Sequence, residues 1–266
     1  MILKRKIYKK LLEWKKECQG KKALLIEGAR RIGKSTICEE FGKNEYKSFL
    51  LIDFAKKDKE VEGYFEKYLN DLNTFFMLLQ THFGTKLTER NSLIIFDEVQ
   101  MFPQARAAIK YLVADGRYDY IETGSLISIR ENVKNIVIPS EERHINMYPL
   151  DFEEFAIALE EDLLVEYIKK CFEKREPLER SMHNQAMLLF HQYMLVGGMP
   201  MPVVTFIESK KDFTEADREK RDILKLYRED IMKIDAKYRS KVLAIYDQIP
   251  GFLSQHEKRV VFKKLQ

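Results

Sequence analysis

Gly28-Ala29-Arg30-Arg31-Ile32-Gly33-Lys34-Ser35-Thr36, preceded by the apolar run Ala23-Leu24-Leu25-Ile26, is the stretch that decides the fold. It fits G-x-x-x-x-G-K-[ST] at every fixed position, the spacing of a loop whose backbone amides curl around a polyphosphate. Each residue type has a chemical reason. Glycines let the main chain approach the phosphates closely, and the helix that follows offers a partial positive charge at its N-terminus. Lys34 reaches the β- and γ-phosphates, the Ser35 hydroxyl is a magnesium ligand, and Thr36 is placed at an α-phosphate. Residues 23–26 read as a buried strand and residues 35–41 as a helix, the context that separates such a loop from a chance surface turn.

Leu93-Ile94-Ile95-Phe96-Asp97-Glu98 is a run of four apolar residues ending in two carboxylates. Parallel sheets bind ligands beyond the carboxyl ends of their strands, so both acids are expected there. Asp97 then holds magnesium through the ion's water shell. Glu98 is the general base that polarises an attacking water. The competing reading is an acid pair that complements the dipole of a following turn. Thr123 and Ser125 end the next predicted strand, where a hydroxyl orients the water or touches the γ-phosphate; a capping role competes for both. Transition-state charge also asks for a cation. Arg143, Arg130 and Arg117 are the candidates, with Arg143 first because it lies between the last strand and the domain boundary.

Helices and strands alternate around these motifs. Leu3, Ile7, Leu11 and Trp14 recur at helical spacing among lysines and predict an amphipathic opening helix. Strands are expected at 48–53, 92–96, 118–122 and within 135–138. One long helix carrying Phe65, Leu69, Leu72, Phe76, Leu79 and Phe83 is expected between the second and third, and a helix starting at Pro103 after the third. The fold class is therefore α/β, a mostly parallel central sheet flanked by helices, with right-handed crossovers. Near Met147-Tyr148-Pro149-Leu150 the texture becomes helical, with helices predicted over 152–164, 188–196 and 217–234. Residues 1–150 are expected to form the nucleotide domain and residues 151–266 a smaller all-helical region.

Composition sets the class more broadly. The 266 residues are 45% hydrophobic and 33% charged, the mix of a soluble globular chain. A net charge of +4 from 46 basic and 42 acidic residues leaves both nucleic acid and protein open as partners. Cys18, Cys38 and Cys171 form no C-x-x-C pair, which points to a reducing, cytoplasmic home without zinc or disulfides. No apolar h-region opens the chain and no stretch is long enough to span a membrane, so neither secretion nor membrane insertion is expected.

The motifs together resemble the bacterial and archaeal AAA-type ATPases that carry a C-terminal domain of unknown function. The residues in question are G-A-R-R-I-G-K-S, L-L-I-D-F at 50–54, I-I-F-D-E-V-Q at 94–100 and T-G-S at 123–125. M-Y-P-L-D-F-E-E-F at 147–155, Y-M-L-V-G-G-M-P at 193–200 and I-P-G-F-L-S at 249–254 complete the set. The resemblance implies a magnesium-dependent ATPase core, with a catalytic glutamate after the magnesium aspartate, followed by a helical region. Relatives continue into a winged helix and a nuclease-like domain, and this chain is expected to stop at Gln266, about where the winged helix begins. It also has Glu142-Arg143 where relatives carry Gly-Arg, a departure that bears on Arg143. ATP rather than GTP follows from the resemblance and from the lack of an N-K-x-D motif.

The remaining features read more plainly. His82, His144, His183, His191 and His256 share no metal-ligand spacing. Gly197-Gly198-Met199-Pro200 reads as a tight turn between helices, against a contact to nucleotide or partner. Acids interspersed among Arg218, Lys220, Arg221, Lys225 and Arg228 suggest a solvated helix face. Lys258-Arg259 with Lys263-Lys264 is more one-sided and leaves salt-sensitive phosphate-backbone binding open. Two functions are carried forward: ATP hydrolysis coupled to rearrangement of the helical region, and a nucleotide-controlled switch that binds DNA or a protein with little turnover. Either admits an oligomer.

Overall fold

The computed structural model describes residues 1–125, 140–232 and 234–254. Among them, five strands form one sheet: β1 Ala23–Glu27, β2 Ser48–Asp53, β3 Ser92–Asp97, β4 Asp119–Gly124 and β5 Glu142–Asn146. Their order is β2-β3-β4-β1-β5 and every pairing is parallel. A parallel sheet is covered on both faces, and its strands read as nearly continuous apolar runs for that reason.

Alternate side chains divide the core in two. On one face Leu25, Leu50, Ile52, Ile94, Phe96 and Tyr120 pack with residues of α3 Lys59–Tyr68, α4 Leu72–Phe83 and α5 Pro103–Asp115. On the other, Leu24, Ile26, Leu93, Ile95 and Ile121 pack with α1 Ile7–Cys18 and α2 Lys34–Glu45. The predicted stripe is realised from Ile7 onward, with Leu3 ahead of the helix: Ile7, Leu11 and Trp14 are buried, and the Trp14 indole N–H donates to the Lys22 carbonyl at 3.0 Å.

Two predicted helices come out differently. The single long helix between β2 and β3 is two helices, because Asp71 interrupts it and caps the second through the Thr74 amide at 3.3 Å. The helix expected over 152–164 divides into α6 Phe152–Ala158 and α7 Asp162–Lys174, with Glu160 at φ 63° in the break. The strand expected within 135–138 lies outside the described residues. The edge strand that closes the sheet is β5, Glu-Arg-His-Ile-Asn, whose charged residues gave no strand signal.

The chain divides into two compact units, Met1–Val203 and Val204–Gln266. The first holds the sheet together with α6, α7 and α8 Arg180–Val196. In the second, helices Phe213–Ile231 and Ala236–Leu253 are joined by the Arg228 guanidinium, which grips the Asp247 carboxylate at 2.8 and 3.0 Å. The basic residues of 217–234 pair locally, Arg218 with Glu215, Arg221 with Asp217 and Lys225 with Asp222, as a solvated face does.

One buried polar cluster sits inside the sheet's packing. Arg106 of α5 makes a bidentate pair with Glu142 of β5 at 3.0 and 2.8 Å, and both side chains are almost fully buried. Beside them Glu122 of β4 is fully buried, and neither of its carboxyl oxygens accepts a hydrogen bond. Burial, then the Glu142 charge, push the Glu122 pKa well above its ordinary value, so Glu122 is held as the neutral acid. A raised folded pKa contributes stability in full below 4.5, and the contribution is lost as the pH climbs through the folded value. Glu122→Gln, a neutral isostere, is therefore expected to raise Tm over the parent at about pH 9 and to lose that advantage at about pH 5. Thermal unfolding at the two pH values checks this; an equal shift at both contradicts it.

Candidate functional site

Gly28 follows β1 directly, and the loop over residues 28–33 then delivers the chain to the start of α2. Two positive φ angles bend it, 65° at Arg31 and 90° at Gly33. Glycine takes such a conformation without strain; arginine does not. At Gly28 the need for glycine is steric, since a β-carbon there would stand 2.4 Å from the Met147 carbonyl oxygen and 2.5 Å from Ile32 Cδ1. Met147 is anchored in turn by its own N–H, which donates to the Glu27 carbonyl at 2.8 Å.

Lys34 is buried, and its ammonium folds back to donate to the Gly28 and Ala29 carbonyls at 3.2 and 2.9 Å. Burial pushes its pKa below the ordinary lysine value, while the carboxylates of Glu98 and Asp97 oppose that shift. Ser35 occupies the first turn of α2, and its hydroxyl donates to Asp97 Oδ1 at 2.9 Å. Thr36 is exposed beside it. Asp97, at the end of β3, is itself buried. The two motifs, 62 residues apart in sequence, therefore meet in direct contact.

β4 lies between β1 and β3 and supplies the bridge. The Thr123 hydroxyl donates to the same Asp97 oxygen and accepts the Glu98 N–H at 3.2 Å. Ser125 follows β4 and is buried. Glu98 stands at φ 52°, a left-handed backbone that a non-glycine residue adopts at a cost of about 1–3 kcal/mol, the kind of strain that concentrates at functional sites. Its carboxylate accepts from the Gln100 side-chain amide.

The predicted cations are not brought to this cluster. Arg143 pairs with Leu24 in the sheet register, well back from the strand ends, and its guanidinium donates to Glu17 of α1 at 2.6 Å. Arg117 lies before β4, at the opposite end of the sheet, held by Asp115 and Asn73. Arg130 lies outside the described residues. Within the loop, Arg30 carries a positive charge near enough to Lys34 to depress its pKa.

Two neighbours, Arg5 and Gln100, were given no role in the sequence reading. The Arg5 guanidinium donates to the Ile32 carbonyl in the loop at 3.0 Å. Gln100 holds Glu98, and its buried position follows from the turn Val99–Met101. The turn Gly197-Gly198-Met199-Pro200 also reaches the loop: a β-carbon on Gly33 would lie 3.8 Å from Pro200 Cγ. At Gly198 a β-carbon would stand 2.1 Å from the Leu150 carbonyl oxygen, so glycine is required for the turn to lie against the segment over residues 147–150. The spacing D-x-x-E at 151–154 was a legible capping-box signal; Arg5, one basic residue among many, carried none.

The donor set suits a hard divalent cation and a polyphosphate. Ser35, Asp97 and Thr123 converge as oxygen donors of the kind magnesium takes, beside a buried ammonium and a loop of main-chain amides. No group of histidine, cysteine and acidic residues among the described residues fits an all-protein metal site. Burial holds the Cys38 thiol of α2 well above its ordinary pKa, which leaves no thiolate nucleophile there.

A model of the AAA domain family matches residues 20–156, just over half of the chain. The chain belongs to that family. Its fold is that of the P-loop ATPases. Comparison with curated proteins gives no match. Among solved structures it is similar to the Aeropyrum pernix ORC1 protein in complex with DNA, at 9% identity and a TM-score of 0.39 over 100% of this chain and 81% of that one. It is also similar to C. elegans PCH-2, at 11% identity and a TM-score of 0.40 over 81% of this chain and 65% of the other. A third likeness is to a Pyrococcus horikoshii signal transduction ATPase with numerous domains and a tetratricopeptide repeat sensor. There the identity is 17% and the TM-score 0.41, over 99% of this chain and 38% of that one. Nothing about the site of this AAA domain follows from likenesses so distant.

No helix among the described residues is long and apolar enough to cross a membrane. The loop geometry carries its own test. Gly28→Ala is expected to cost about 1–3 kcal/mol of stability through the clash with Met147. Gly63→Ala in α3, where nothing stands within 4 Å of the new methyl, is expected to gain about 0.5–1 kcal/mol. Thermal unfolding of the two variants checks both signs.

Proposed function

We propose that this AAA domain binds ATP with magnesium at the carboxyl edge of its sheet and hydrolyses the γ-phosphate. The observation that carries the reading is the 2.9 Å contact between Ser35 of the phosphate loop and Asp97 at the end of β3. Loop amides from residues 28–36, with the N-terminus of α2, receive the phosphate oxygens. Lys34 leaves the Gly28 and Ala29 carbonyls and neutralises charge on the β- and γ-phosphates. Ser35 and Asp97 would hold magnesium, which when bound draws charge from the transferring phosphoryl group. Glu98 takes the proton of the attacking water, and Thr123 and Ser125 at the end of β4 orient that water.

Residues 1–150 are the nucleotide domain in this reading and residues 151–266 the helical region whose arrangement follows the nucleotide state, in the cytoplasm. Arg143 is retained as a transition-state cation only if it leaves Glu17, or serves a neighbouring copy in an oligomer. Lys34→Ala is expected to abolish ATP hydrolysis, and Glu98→Gln to bind ATP while losing turnover by at least about a hundredfold. An undiminished rate in Lys34→Ala, measured as phosphate release, refutes the assignment.

A second reading is favoured by one observation. The Glu98 carboxylate is engaged by Gln100 rather than free to meet a water. A domain built this way acts as a nucleotide-controlled switch for DNA or a protein partner, with little turnover until the partner frees Glu98. Wild-type hydrolysis that stays negligible without a partner, together with ATP-dependent partner binding, favours it.

A further inference from the structure

We propose that Arg5 is a positioning residue, which holds the phosphate loop in its anion-receiving shape and makes that shape depend on the first turn of α6. The inference rests on the nucleotide reading above and adds its control. Arg5 lies ahead of α1, far from the loop in sequence, yet its side chain is 6% exposed and its guanidinium meets three acceptors. It donates to Ile32 O at 3.0 Å, to Tyr148 O at 2.6 Å and to Glu154 Oε1 at 3.2 Å.

Glu154 is 7% exposed and equally committed. Its Oε1 also accepts the Lys6 N–H at 2.6 Å, while Oε2 accepts the Asp151 N–H at 3.2 Å to close the capping box of α6. One buried ion pair thus ties the phosphate loop, the strap over residues 147–150 and the start of the helical part. Burying two charges is expensive, so such a pair adds little net stability, while loss of one partner leaves the other charge buried and uncompensated.

The geometry it fixes is that of a loop donor. A trans peptide is planar, with its carbonyl and the next N–H antiparallel. When Arg5 captures the Ile32 carbonyl, it sets the direction of the Gly33 N–H, one of the amides the loop offers to phosphate. That peptide lies between the two positive-φ residues, Arg31 and Gly33, where the backbone needs outside support. Movement of α6 would draw Glu154 from Arg5 and release that amide. The helical part and the nucleotide are then coupled in both directions.

The test uses the full chain without nucleotide, with Arg5→Lys and Glu154→Gln as separate variants. A lysine cannot satisfy three in-plane acceptors, and the glutamine keeps the size of Glu154 while removing its charge. Hydrogen exchange of the amides at 28–36 is expected to quicken about tenfold in each variant, with the β3 amides of Ser92–Asp97 unchanged as the internal reference. ATP affinity, read by titration, is expected to weaken by about tenfold in parallel. Unchanged loop exchange in both variants overturns the proposal, whatever happens to ATP. A wild-type chain that binds no ATP removes the nucleotide reading, while the exchange result still decides whether Arg5 orders the loop.

Discussion

The hydrogen bond from Ser35 to Asp97 is the constraint on which the site depends. Ser35 opens α2, which the phosphate loop joins to the end of β1, and Asp97 ends β3; β4 lies between those two strands, so the sheet order β2-β3-β4-β1-β5 is what brings them together. Thr123 fills the gap left by the intervening strand, and its hydroxyl serves Asp97 and the Glu98 amide at once. A different strand order would leave both motifs intact in the sequence and unable to share an ion. Here the topology does chemical work.

Much of this was legible before any coordinates. The strands β1 to β4 are apolar runs because both sheet faces are covered, and the phosphate loop announced itself by glycine and lysine spacing. What escaped has physical reasons. Among the described residues β5 is an edge strand paired with β1 alone, so its charged side chains reach partners off the sheet, Arg143 the exposed Glu17 and Glu142 a buried arginine. The break at Asp71 rests on a single cap within a continuous apolar pattern. Arg143 was placed near the phosphates by its position in the chain, whereas the register sets it opposite Leu24. Long-range partners such as Arg5 with Glu154, 149 residues apart, leave no local trace.

Two buried ion pairs lie on different elements and play different parts. Arg106 with Glu142 fastens α5 to the sheet edge, with neutral Glu122 against it, and belongs to the core. Arg5 with Glu154 touches the phosphate loop itself. Glu98 stands in a strained backbone with its carboxylate held by Gln100. Under the proposed reading the arrangement would separate binding from turnover: the loop amides and Lys34, once released from the Gly28 and Ala29 carbonyls, would receive phosphate, while Glu98 is engaged by Gln100.

The central claim is that Asp97 would hold a magnesium ion needed for tight phosphate binding at the loop. Its most direct test is the affinity for ATP with magnesium and with a chelator, in the wild-type chain and in Asp97→Asn. The account predicts that magnesium tightens wild-type binding by about tenfold or more, and that Asp97→Asn keeps the magnesium-free affinity but loses the increment. Wild-type binding indifferent to magnesium, or an increment that survives in Asp97→Asn, would contradict it.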